Sequence, residues 1–230
     1  MSDDDSNPRS RGCLSRIFTF ILFLAAVGLG VAIFYAAKPQ DLTDIKGYKN
    51  STTPPRDLTL ALRNAVERGY PLTLSEEDLN AWLKQTLILK QGGLLEKNVK
   101  LEGVAVRLEK ERAEIIIERS VFGHPFTVSM YVRIEQTEGT DGVATTLHRE
   151  GGAYFADFPR LKKGGRFGQL VVPQGLLLLV MPSFSELGTQ FSKEIELGFE
   201  KMSRVSIEKN GLTLDPRFQG GSQSILPNTF

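Results

Sequence analysis

Apolar and polar positions change their spacing several times along this chain, and each change marks a different element. Residues 17–37, IFTFILFLAAVGLGVAIFYAA, carry no charge. At about 1.5 Å per residue they make roughly 31 Å of helix, which matches a hydrocarbon core of about 30 Å. Residues 38–57 are polar with three prolines, the composition of a stalk. Leu58, Leu62, Ala65 and Val66 then share one helical face, and Gly69 with Pro71 ends it. Ser75 is the N-cap of a second helix, followed by Glu76, Glu77 and Asp78, acids that suit the positive end of the helix dipole. Leu79, Trp82, Leu83 and Leu87 form its apolar stripe, Asn80 lies beside that stripe, and Gly92-Gly93 stops the helix.

From Val99 the period becomes two. Val99 and Leu101 are in one phase and Val104, Val106 and Leu108 in the other, which predicts a bulge near Gly103. Ala113, Ile115 and Ile117 make the next strand. Phe126, Val128, Met130, Val132 and Ile134 alternate with polar residues, as a half-buried antiparallel strand requires. Val143, Thr145 and Leu147, then a stretch through residues 154–158, extend the meander, and residues 167–172 read as one further strand. An apolar run follows at 175–182, then a helix over 183–202 with Leu187, Phe191, Ile195, Phe199 and Met202 facing inward. Two short strands around Asn210-Gly211 close the chain as a hairpin. The order predicts an α+β fold: a cytoplasmic head (1–16), a transmembrane helix (17–37), a stalk (38–57), one extracytoplasmic domain with a curved antiparallel sheet packed on helices (58–216), and a flexible tail (217–230).

Composition then narrows the functional classes. With 28 basic and 27 acidic residues the formal net charge is +1, which lacks the basic excess that nucleic-acid binding needs. The single cysteine, Cys13, excludes an internal disulfide and a thiolate zinc site. Cleavage as a signal peptide after Ala37 or Ala36 would put Tyr35 or Phe34 three positions back, too bulky for that place, so the segment reads as an uncleaved anchor. Arg9, Arg11 and Arg16 before it, against Lys38 just after it, put the amino terminus in the cytoplasm and the domain outside.

Three short segments resemble those of small membrane-anchored bacterial proteins of the YpmS-like kind. LTLSEEDLNAWL (72–83) is similar to their S-E-x-x-L-N helix, GQLVVPQGLL (168–177) to their G-x-h-x-h-P segment (h, apolar), and VSIEKNGLTLDP (205–216) to their closing hairpin. The resemblance implies an anchored outer domain with a sheet wrapped on a helix, and a distant relation to tubular lipid-binding domains. It implies no catalytic residue.

No phosphate-binding loop, metalloprotease helix or nucleophile elbow occurs, and the only histidines are His124 and His148, so neither an enzyme, a cofactor nor a metal site is expected. Leu176, Leu177 and Val180, with Phe184, Leu187 and Phe191 across from them and Trp82 near one end, read either as buried core or as the lining for an acyl chain. Arg160, Lys162, Lys163 and Arg166 carry four positive charges without an acid between them. They read as a solvated basic turn or as a contact for lipid phosphates, at about 1 kcal/mol per residue. The expectation is an anchored binding module whose partner is membrane lipid or another amphiphile, or else a structural partner of other membrane or envelope proteins.

Overall fold

Residues 11–50, 54–90, 99–139, 142–149 and 163–217 are described by the computed structural model. The uncharged segment is a helix, α1 (Arg11–Ala37), that begins six residues earlier than expected. Its stretch Ser15–Ala37 is long and apolar enough to cross a membrane, and its most apolar window is not buried against the protein. α2 (Leu58–Arg68) starts where the Asp57 carboxylate accepts the Leu60 N–H at 3.0 Å, and ends at Gly69 in a left-handed conformation. Asp57→Ala should therefore lower the unfolding free energy by about 1 kcal/mol in a denaturant titration. β1 (Leu72–Ser75) runs into α3 (Glu76–Lys90) through a reciprocal cap. Ser75 Oγ accepts the Asp78 N–H at 3.1 Å, while the Asp78 carboxylate accepts the Ser75 N–H and hydroxyl at 3.0 and 2.6 Å.

Among the described residues the larger sheet is antiparallel, and neither sheet closes into a barrel. β2 (Val99–Glu109), β3 (Arg112–Val121) and β4 (His124–Gly139) form a meander. β5 (Gly142–Arg149) pairs with the second half of β4, while β6 (Lys163–Phe167) pairs with Val128, Ser129 and Met130 and carries β7 (Leu170–Pro173) at the sheet edge. The β2–β3 register shifts between Leu101 and Gly103, the bulge that the change of phase predicts. Residues 167–172 are not one strand, because the chain reverses at Gly168-Gln169, where Gly168 takes a φ of +52°.

A 3-10 helix (Gln174–Leu179), α4 (Met181–Gln190), α5 (Ser192–Ile195) and a π turn (Glu196–Glu200) replace the continuous helix expected over 183–202. In the wide turn the Lys201 N–H reaches back to Glu196 O at 3.3 Å, which shifts the helical phase. Phe191 and Met202 stay buried, and Ile195 is exposed. β8 (Arg204–Glu208) and β9 (Gly211–Asp215) form the closing hairpin, and β9 also pairs with β1 in the smaller sheet, β1-β9-β8.

Two cores result. Val104, Leu108, Ile117, Val128, Met130 and Val132 pack with Leu83, Leu87 and Phe184; Leu58, Leu62, Leu72, Leu74 and Leu214 pack with Met202. Leu79, Trp82, Ile134 and Leu212 touch both, so the cores are continuous. Residues 1–10, the stretch at 154–158, Gly92-Gly93 and the tail after Arg217 lie outside the described residues.

α3 also closes the exposed edge of β2. The fully buried Asn80 accepts the Val106 N–H through Oδ1 at 2.7 Å and donates through Nδ2 to Val106 O at 2.8 Å and to Lys46 O at 2.9 Å. One helical turn earlier, Glu76 accepts the Leu108 N–H at 2.7 Å and the Lys46 N–H at 3.1 Å. Four residues of helix rise about 6 Å and two residues of strand about 6.6 Å, so the two side chains meet alternate backbone groups of β2.

Candidate functional site

The turn between β6 and β7 is built against the end of α1. The last carbonyls of a helix have no partner within it. Here the Gln169 N–H donates to Tyr35 O at 3.0 Å and Lys38 O at 2.9 Å, and Gln169 Nε2 to Pro39 O at 3.4 Å. Gly168 is required at this turn on two grounds. Its φ is left-handed, and a Cβ there would collide with the carbonyl oxygens of Tyr35, Ala36 and Lys38. A Gly168→Val variant should therefore part the helix from the hairpin. Spin labels on α1 and on β3 should give a narrow distance distribution in the parent and a broad one in the variant; identical distributions would refute a rigid joint.

Residues 38–50, expected as a stalk, lie across the outer face of the larger sheet. Alternation sends Val104, Leu108, Ile117, Val128 and Met130 to the main core, leaving Ala105, Arg107, Glu114, Ile116, Thr127, Ser129 and Tyr131 for the other face. Leu42, Ile45 and Tyr48 cover Ala105 and Ile116 there. The Tyr48 hydroxyl donates to Glu118, and burial together with that carboxylate holds the phenol well above its ordinary pKa.

The polar part of this face is a connected network around Glu114, whose side chain is wholly buried. Its carboxylate accepts Arg107 Nη1 at 2.5 Å and the Ser129 hydroxyl at 2.6 Å, and lies 3.5 Å from Arg166 Nε. Arg166 Nε donates to Tyr131 Oη at 3.1 Å, and Arg107 Nη2 to Asp44 at 2.9 Å. The Gln40 N–H donates to Thr127 Oγ1 at 2.9 Å and its Nε2 to Ser129 Oγ at 3.2 Å. Burial opposes the charge on Arg107, but Asp44 and Glu114 outweigh it and hold the guanidinium above its ordinary pKa. Burial, then the charge of Glu114, raises the Tyr131 phenol.

Beside this network is a cleft of about 560 Å³, lined by Gln40, Asp41 and Asp44 from the segment after α1, and by Arg107, Glu109, Arg166 and Gln169 from the sheet. Gln40 Oε1 and Arg107 Nε are buried without a hydrogen-bond partner among the described residues. Gln40 and Gln169 connect the cleft to the end of α1. A cleft so polar suits a polar group and not an acyl chain.

The residues singled out in the sequence fall in several places. Leu177, Phe184 and Phe191 are buried in the main core, where Val180 and Leu187 pack on them. Trp82 lies with its ring centroid 5.2 Å from that of Phe191. Leu176 is exposed, as are Leu178 and Leu179, because a 3-10 helix of this length turns only one side, that of Leu177, inward. Lys163 begins β6, Arg166 joins the cleft, and Arg160 and Lys162 lie outside the described residues. Arg107, Glu114 and Ser129 do not stand out in the sequence, because their phase on their strands marks a solvated face. The signal that finds them is Leu42, Ile45 and Tyr48, three apolar residues at helix-like spacing in a polar stretch that need a surface to cover.

No family model matches the chain, and no curated protein is significantly similar to it.

Proposed function

We propose that this is a single-pass membrane protein whose extracytoplasmic domain sits directly on the bilayer and binds the polar part of a lipid or another amphiphile. The observation that carries this reading is the position of the cleft. Gln40 follows Lys38 by two residues, and Gln169 is bonded to the last carbonyls of α1, so the cleft opens where an apolar helix of membrane length ends. Headgroups occupy that level, since they extend the roughly 30 Å core to about 40–45 Å. The flanking charges, Arg11 and Arg16 against Lys38, support an amino terminus in the cytoplasm. The carboxylates Glu114 and Glu109 are engaged with arginines, which suits holding a ligand better than transferring its protons.

Full-length protein in nanodiscs that contain a lipid with a photoactivatable headgroup tests the reading. Crosslinks are expected at residues 40–44 and 166–169. Labelling confined to α1 would sink it.

A second reading, assembly with another membrane or envelope protein, draws on Leu176, Leu178 and Leu179, which are 44%, 65% and 79% exposed just beyond the edge strand β7. Exposed leucines in such a cluster mark contact surfaces. Replacing Leu178 and Leu179 by Ser should then abolish recovery of a neighbour after crosslinking in cells, with headgroup labelling unchanged.

A further inference from the structure

We infer that the cleft takes a zwitterionic phosphodiester headgroup ending in a primary amine, the chemistry of a phosphoethanolamine, with the phosphate on Arg107 and Arg166 and the ammonium on the Asp41 and Asp44 carboxylates of the same cleft. The inference rests on the reading of the cleft as an amphiphile site and names its ligand class.

Both signs of charge line the one cleft. Arg107 and Arg166 are the cations, and Asp41, Asp44 and Glu109 the anions. Glu114 lies beneath them, Arg112 is paired to Glu109 and the charge of Lys49 acts on Asp41, so the two guanidinium groups that a bare phosphate finds are already balanced by carboxylates. A ligand that carries both signs meets a partner for each and adds no net charge.

The arginines are placed in advance. Glu114 accepts from Arg107 and lies within ion-pair distance of Arg166, and Tyr131 takes Arg166 Nε. Arg107 is held through Nη1 by Glu114 and through Nη2 by Asp44, and the terminal nitrogens of Arg166 have no partner among the described residues. Guanidinium groups bind phosphate oxygens in pairs, and holding them beforehand removes the entropic cost of ordering them on binding.

The amine side distinguishes a primary ammonium from a quaternary one. Quaternary ammonium is recognised over aromatic faces, and among the described residues the lining of this cleft contains no aromatic ring. It offers hydrogen-bond acceptors: the exposed Asp41 carboxylate, and the Asp44 carboxylate, of which Oδ1 already holds Arg107. Such acceptors need N–H donors.

The test is calorimetric titration of the full-length protein in detergent with glycerophosphoethanolamine, glycerophosphocholine, inorganic phosphate and ethanolamine. Glycerophosphoethanolamine should bind about tenfold or more tighter than each of the others, about 1.4 kcal/mol. Asp41→Asn, at an exposed position that leaves the network intact, should weaken glycerophosphoethanolamine about tenfold and leave phosphate unchanged. Arg166→Gln should weaken both. Equal or tighter binding of inorganic phosphate would overturn the inference in favour of a simple anion site. Equal binding of glycerophosphocholine would overturn recognition of the amine. If none of the four binds while the photoactivatable lipid still labels residues 40–44, the headgroup class is wrong and the lipid reading stands. If that labelling is absent as well, both fall.

Discussion

Glu114→Ala is expected to lower the unfolding free energy by about 3–5 kcal/mol, the usual cost of removing one partner from a buried ion pair. The wild-type carboxylate is inaccessible to solvent, whereas the Arg107 and Arg166 side chains are 16% and 33% exposed. Without Glu114 these two cations face each other across a hole, the Ser129 hydroxyl loses its acceptor, and the contact of Gln40 with Ser129 loses its support. Asp44 still pairs with Arg107, which places the loss toward the lower end of that range. Glu114→Gln keeps the shape and an acceptor for Ser129, so it should fall between the parent and Glu114→Ala. Trp82, the only tryptophan, packs on Phe191 in the main core and reports unfolding by fluorescence in a denaturant titration of the detergent-solubilised protein. A loss below about 1 kcal/mol would mean that the network does not hold the outer face together.

Asn80→Leu should be of similar size, about 3–5 kcal/mol, for a different reason. It leaves the N–H and C=O of Val106 and the C=O of Lys46 without partners, and each buried unpaired group costs about 1–3 kcal/mol. Asn80→Asp should also destabilise, because it keeps the acceptor and loses the donor. The variant also uncovers the edge of β2, which invites strand pairing between molecules. The same titration measures the stability, and light scattering on a size-exclusion column measures association. A monodisperse Asn80→Leu variant of parental stability would show that the side chain does not close the edge.

Features that repeat over a few residues were legible in the sequence. The uncharged helix, the Ser75 cap, the bulge near Gly103 and the hairpin at Asn210 each depend on neighbours in the chain, and all four are present. The Ser75, Glu76 and Asn80 positions of the S-E-x-x-L-N segment have a physical explanation, since one caps the helix and the other two bind the edge of β2. The cleft was not legible. Polar residues on alternate positions of β3 and β4 look solvated until a remote segment covers them, and residues 38–50 look like a stalk for want of the same fact. The apolar run misled in the opposite direction. Composition suggests that Leu176 to Leu179 are all inside, but the 3-10 geometry buries Leu177 and leaves its neighbours out.

The backbone N–H of Gln169 is bonded to Tyr35 O in the last turn of α1 and to Lys38 O just beyond it, with Gly168 pressed against the same carbonyls, so the joint predicts that helix and sheet turn as one body. If the joint is rigid, a rotation of α1 about its own axis swings the cleft through the same angle. Gly28, Ala32 and Ala36 recur every four residues along one side of α1, and a neighbouring helix that gripped this side would, with α1 in a membrane, set the compass bearing of the cleft in its plane. Two copies joined by that side would present their clefts at a fixed angle to each other, and a flexible tether would leave that angle free.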